Sequence, residues 1–140
     1  MQETHVWNAR LDLEHGALDQ EHHLQIAMIG ALTEAIEQRR PWMARRLAEQ
    51  LETYSAAHFA SEQLMMETSE YPRVAAHAGE HEALLKRVAE LREELEGEEM
   101  DPALAAALDL LSAIGAHITS SDRAFSEHTA SRRGGAPVKA

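Results

Sequence analysis

Three proline-marked breaks constrain this chain more than any other feature. Arg40-Pro41, Tyr71-Pro72 and Asp101-Pro102 cut it into four segments rich in Ala, Leu, Glu and Arg. Proline inside a helix costs roughly 3 kcal/mol, because it lacks the N–H that the turn needs, yet it suits the first turn. The breaks predict four helices. The first runs roughly from Leu18 to Gln38, and the second from Pro41 to about Thr68. The third runs from the Tyr71-Pro72 break to about Glu96, with Gly97 as its C-terminal cap. The fourth opens with Asp101 as N-cap and Pro102 at the first helical position, and runs to about Ser131. All three connections are short, so neighbouring helices run antiparallel. The fold class is all-α, an up-down-up-down four-helix bundle with an N-terminal arm. One domain is expected over residues 1–131, with RRGGAPVKA (132–140) as a flexible tail.

The apolar pattern within the segments repeats at three- and four-residue steps, as a helix burying one face requires. The first segment shows Leu18, His22, Ile26, Ile29, Leu32 or Thr33, and Ile36. The second shows Leu47, Leu51, Tyr54, His58, Glu62 and Met65 or Met66. The third shows Val74, His77, His81, Leu84 or Leu85, Val88, Leu91 and Leu95. The fourth shows Leu104, Leu108, Leu111, Ile114, His117, Ile118 and Phe125. Histidines and a carboxylate thus stand in the stripes that should form the core. Asp122 alone is out of step.

Composition excludes several functions. Apolar residues make up 44%, enough for a core, and aromatics only 4%, so aliphatic side chains must fill it. The net charge of -11 argues against nucleic acid and anionic membrane surfaces as partners. No cysteine is present, which removes disulfides and thiolate metal sites. MQETHVWNAR lacks an apolar signal core, and no later stretch reads as apolar for long enough to span a bilayer. The cytoplasm is the expected compartment, and no feature indicates a protein partner.

The buried polar residues carry the functional signal. His58 with Glu62, and His77 with His81, lie four apart and project from nearly the same side of their helices. His117 and Asp122 lie five apart. On an α-helix that spacing leaves them about 140° apart around the axis, so Asp122 would have to reach sideways. A single core-facing histidine is usually a hydrogen-bonded interior residue. Five histidines and two carboxylates in one core are different, because without metal they would carry a large desolvation cost. Imidazole and carboxylate suit iron, manganese, zinc or copper. Five nitrogens exceed a four-coordinate zinc site. Seven ligands serve two octahedral ions if both carboxylates bridge, leaving one ion a ligand short and open to a small molecule. His5, His15, His23 and His128 read as solvated or terminal.

At these residues the chain resembles hemerythrin, specifically the bacterial hemerythrin-like domains. The resemblance spans roughly Leu18 to Phe125 and rests on LDQEH ending at His22, YSAAHFASEQLMM around His58 and Glu62, YPRVAAHAGEH through His81, and HITSSDRAF from His117. It implies one iron held by His77, His81 and His117, and another held by His22 and His58 with an open position. Glu62 and Asp122 would bridge the irons together with an oxo or hydroxo group. It implies reversible binding of O2, for storage, delivery or sensing, or of another small diatomic or anionic ligand, in a pocket of Phe59 and Ile114, with Ile118 and Ile26 close by. The alternative is a di-iron enzyme: a peroxidase, oxidase or nitric oxide reductase. No acid/base residue stands out beside the expected open position, which favours a carrier. Paired Glu-x-x-His motifs, the mark of ferritin-like di-iron proteins, are missing. The chain departs from the family pattern at Ala113 (often Trp), Gln63 (often Glu) and Gly30 (often Asn). LDLEH echoes LDQEH and makes His15 a rival to His22, but His22 is the one followed in register by Ile26 and Ile29.

Overall fold

A computed structural model describes residues 11–13 and 16–135, with side chains as far as Arg132. Four antiparallel helical rods form the expected bundle. They are α1 (Gly16–Glu37), α2 (Pro41–Thr68), α3 (Val74–Leu95) and α4 (Asp101–His117). The last rod continues through a π-helical turn at Ile118–Asp122 into α5 (Arg123–Gly135). It therefore ends beyond Ser131, and the rest of the expected tail lies outside the described residues. Of the arm, Leu11 and Leu13 are buried, and Leu13 is held through its N–H by Asp19 and through its carbonyl by the Ser126 hydroxyl.

The helix ends depart from expectation in informative ways. Pro41 opens α2, as its missing N–H allows. The chain leaves α1 and α2 through left-handed residues that are not glycine, Arg39 (φ 59°) and Glu70 (φ 58°). In each case the next N–H, of Arg40 or Tyr71, reaches back five residues to the carbonyl of Ala35 or Met66. These closures satisfy carbonyls that a helix end leaves bare. Gly97 does not play that part: no described glycine has positive φ, and the α3 end closes with Glu96 and Gly97 N–H groups on Glu93 and Glu94 carbonyls. Asp101 is not the N-cap either. Met100 holds that position without a side-chain bond, and Asp101 sits in the first turn, where its charge suits the helix dipole.

The core is aliphatic, as the scarcity of aromatics requires. Ile29, Leu32, Ile36, Leu51, Leu91, Leu95 and Leu110 are almost fully enclosed. In α4 the buried face is shifted by one residue from the expected stripe. Ala103, Ala107 and Leu110 point inward, while Leu108 is 42% exposed. The small alanines let this helix approach its neighbours closely, and its larger leucines flank the contact. The same Ala/Leu richness corrects another expectation: Asp101–Arg132 is long and apolar enough, by length and composition alone, to cross a membrane. In the fold its inner face carries His117 and Asp122 and packs into the bundle. A second, smaller cluster of Leu18, Met66, Tyr71 and Phe125 closes the end of the bundle nearest the α2–α3 connection.

Candidate metal centre

Between these two apolar clusters all seven singled-out polar residues meet. His22, His58, Glu62, His77, His81, His117 and Asp122 are each at most 6% exposed. The stripes supply six of them. The π turn supplies the seventh. Its backbone hydrogen bonding skips five residues, with the Arg123 N–H donating to the Ile118 carbonyl. Five-residue bonding stacks residues five apart, so Asp122 comes beneath His117, with Oδ1 at 3.2 Å from His117 Nε2. The sideways reach inferred from ideal α geometry is therefore wrong; the helix is locally rewound instead. Thr119 and Ser120 hydroxyls donate to the Gly115 and Ala116 carbonyls around this turn.

The two carboxylates each face two ways. Glu62 Oε1 lies 3.0 Å from His81 Nε2 and 3.5 Å from His77 Nε2. Its Oε2 lies 2.9 Å from His22 Nε2 and 3.2 Å from His58 Nε2. Asp122 Oδ1 lies 2.8 Å from His77 Nε2, while Oδ2 lies 3.0 Å from His22 Nε2. One half of the cluster thus gathers His77, His81 and His117 around Oε1 and Oδ1. The other gathers His22 and His58 around Oε2, with Oδ2 facing His22. Ligand atoms of Glu62, His77, His81, His117 and Asp122 lie mutually within 4.8 Å, as do those of His22, His58 and Glu62.

Most of these atoms lie close to one another without completing a hydrogen bond. The Nε2 atoms of His58, His77, His81 and His117, Oε1 of Glu62 and both Asp122 oxygens are buried and unsatisfied. So many orphaned donor atoms aimed at one point are costly in a protein interior unless something binds them. The set is all nitrogen and oxygen, and it fits metal ions of intermediate hardness.

The opposite ring nitrogens are fixed by residues that sequence reasoning did not single out for this part. His58 Nδ1–H donates to Glu21 at 2.6 Å, and His117 Nδ1–H to Glu80 at 2.8 Å. His81 Nδ1–H donates to Gln63 Oε1 at 2.8 Å. Acceptors on Nδ1 hold the proton there and turn the Nε2 lone pair inward, the usual arrangement behind a metal-binding histidine. The signal was present in the repeated Glu-His dipeptides at 21–22 and 80–81. In each, the glutamate serves a histidine of the next helix and not its own neighbour.

Electrostatics bind the cluster tightly. Burial drags the His22 and His77 pKa values down, but Asp122 and Glu62 outweigh it and lift both to about 9. Burial also opposes His58, which Glu62 and Glu21 raise on balance. His81 is lowered, by burial and by the nearby His117 and His77, despite Glu62. Burial works against the Glu62 and Asp122 charges, yet the surrounding imidazoles hold both well below the usual carboxylate range. Glu80 is lowered, its Ser121 and His117 hydrogen bonds outweighing burial.

Residues 14–127 match the family model for the hemerythrin HHE cation binding domain. The chain belongs to the hemerythrin family. Over 87 residues it is 34% identical to the bacteriohemerythrin of Stenotrophomonas maltophilia (strain R551-3). It is 31% identical to the bacteriohemerythrins of Pseudomonas paraeruginosa (strain DSM 24068 / PA7) and Pseudomonas aeruginosa (strain LESB58). Each match covers 62% of this chain and 57% of the relative, so the matched stretch spans little more than half of those proteins. As a hemerythrin-family domain the chain is a cation-binding four-helix bundle, and its histidine–carboxylate cluster is fitted to hold metal.

The four residues expected to line a ligand pocket are buried. Ile26, Phe59, Ile114 and Ile118 are all 3% exposed or less. Phe59 stacks on His81 (ring centroids 4.1 Å apart, planes at 11°) and lies 5.5 Å from His58. Ala113 is half-buried against the core. Of the remaining histidines, His23 is exposed as expected, whereas His128 is half-buried against the Tyr71 ring at 5.0 Å. His5 and the rival ligand His15 lie outside the described residues.

Proposed function

We propose that this domain binds O2 reversibly at a non-haem di-iron centre. His77, His81 and His117 would hold one iron and His22 and His58 the other, with Glu62 and Asp122 bridging them. The observation that carries this reading is the way each carboxylate offers one oxygen to the three-histidine half and its other oxygen to the two-histidine half. Counting donors supports an open position: five protein atoms serve the first half and four the second. Irons held by these residues would supply the exchangeable electrons and the free coordination position that O2 requires.

The protein's own part is positioning and exclusion. Glu21, Gln63 and Glu80 keep three imidazoles turned inward. On this reading the buried Ile26, Phe59, Ile114 and Ile118 would wall the open side and exclude bulk water, which would otherwise compete for the metal. Among the described residues of that wall no side chain can exchange a proton near neutral pH, which favours a carrier over an enzyme. The test is anaerobic reduction followed by O2 addition, watched in the visible spectrum. A charge-transfer band that appears with O2 and disappears on its removal is expected. Absence of the band, or irreversible turnover with peroxide or nitric oxide, would overturn the reading.

A further inference from the structure

Among the described residues, four uncharged polar ones are buried outside the metal cluster: Gln25, Thr33, Ser55 and Ser126. Thr33 and Ser126 donate to main-chain carbonyls, of Ile29 and Leu13. Gln25 and Ser55 bond instead to each other, Gln25 Nε2–H donating to Ser55 Oγ at 2.9 Å, and both are 1% exposed. Their place in the fold is specific. Gln25 follows His22 by three residues on α1, and Ser55 precedes His58 by three on the antiparallel α2. The rings of His22 and His58 lie 5.0 Å apart. Both members therefore sit in one layer, about 4.5 Å along the bundle from the two-histidine half. Ile114, three residues before His117, occupies the same layer. Glu62 and Asp122 enter from the other side, one turn in the opposite direction. The Gln25–Ser55 layer thus faces the side of the two-histidine half opposite to Glu62 and Asp122.

The existing bond uses one of the two amide N–H groups and a hydroxyl lone pair. The second N–H and the hydroxyl proton remain for another acceptor. Two buried donors in an otherwise apolar wall are worth keeping only where something receives them.

We infer that Gln25, held by Ser55, is a hydrogen-bond donor to the small ligand at the two-histidine metal, selecting ligands whose outer atom accepts a hydrogen bond. This rests on the O2-binding reading of the same centre. Gln25 is a specificity-determining residue, and Ser55 positions it.

Azide is the probe, because it is a small anion with an accepting terminal nitrogen and its complex with ferric iron is coloured. The iron content of the purified parent, Gln25→Leu and Ser55→Ala proteins is measured first, then azide affinity of the oxidised form by spectroscopic titration. Equal iron content is expected in all three. Azide binding should weaken about tenfold in Gln25→Leu, the scale of one lost hydrogen bond to a charged group, and by less in Ser55→Ala. The vibrational frequency of bound azide should shift in D2O for the parent and not for Gln25→Leu, a signature that mere repacking would not produce. Iron-loaded variants that bind azide within twofold of the parent, or a parent whose azide vibration ignores D2O, would overturn this inference alone. A parent that takes up no iron would overturn it together with the O2-binding reading.

Discussion

Glu62 is the residue on which both halves of the cluster depend, and replacing it with Gln tests the electrostatics without changing shape. Its oxygens lie within 3.5 Å of four imidazoles. Raising the His22 pKa from 6.5 to about 9 corresponds to about 3 kcal/mol in favour of the protonated form. Asp122 and Glu62 share that effect, and the same pair acts on His77. Losing Glu62 should therefore cost the metal-free protein about 2 kcal/mol near pH 6, since the shares overlap and burying an amide is easier than burying a charge. For a domain of this size that is a fall in Tm of about 8 °C. The sign with pH follows from linkage. A raised histidine pKa stabilises fully below 6.5, and that contribution is lost as pH rises through about 9. Glu62, held low, contributes above the ordinary 4.5 of a free carboxylate and loses its effect only on strong acidification. The gap between parent and Glu62→Gln should be widest between about pH 5 and 6.5 and nearly closed by pH 9.5. Thermal melts of chelator-treated protein, followed by circular dichroism across this range, would show it. A variant that melts with the parent at pH 6, or a gap that persists unchanged to pH 9.5, would refute the reasoning.

Other consequences are equally direct. Metal must displace the protons that Asp122 and Glu62 hold on His22 and His77, so the Tm rise on adding ferrous iron anaerobically should grow from pH 6 to pH 9. A rise that shrinks over that range would contradict the assignment of these two as ligands. Glu80→Gln should leave the fold intact, because Glu80 is half-exposed, yet weaken metal binding in the three-histidine half about tenfold through a less firmly turned His117. Competition against a coloured chelator reads this, and unchanged affinity would separate Glu80 from the site. On the O2-binding reading, Ala113→Trp should slow autoxidation by closing the wall beside Ile114. Stopped-flow decay of the O2 adduct, with no change in lifetime, would dismiss Ala113 as the weak point of the pocket.

The bundle was legible because its signals are local: proline at helix starts and apolar residues every three or four positions. The ligands were legible because they occupy those same core positions. Asp122 was not, from spacing alone, since an α-helical ruler puts it 140° away from His117 and only a π turn brings the two together. Family resemblance flagged the interval, and the rewound backbone explains it. The α4 face departs from the leucine stripe because the small Ala103 and Ala107 allow closer packing and turn inward instead. Gly97 was misread because left-handed helix exits here fall on Arg39 and Glu70, whose side chains give no such signal. Glu21, Glu80 and the Gln25–Ser55 pair were overlooked because their roles are made between helices. A single segment shows only a polar residue beside or one turn from a histidine.

Iron content combined with Mössbauer spectroscopy of the oxidised protein tests the proposed centre most directly. The account predicts two irons per chain and a spectrum of paired ferric ions whose spins cancel through a shared bridge, with both properties lost in Glu62→Gln. One iron per chain, or two that behave as magnetically independent ions, would contradict it.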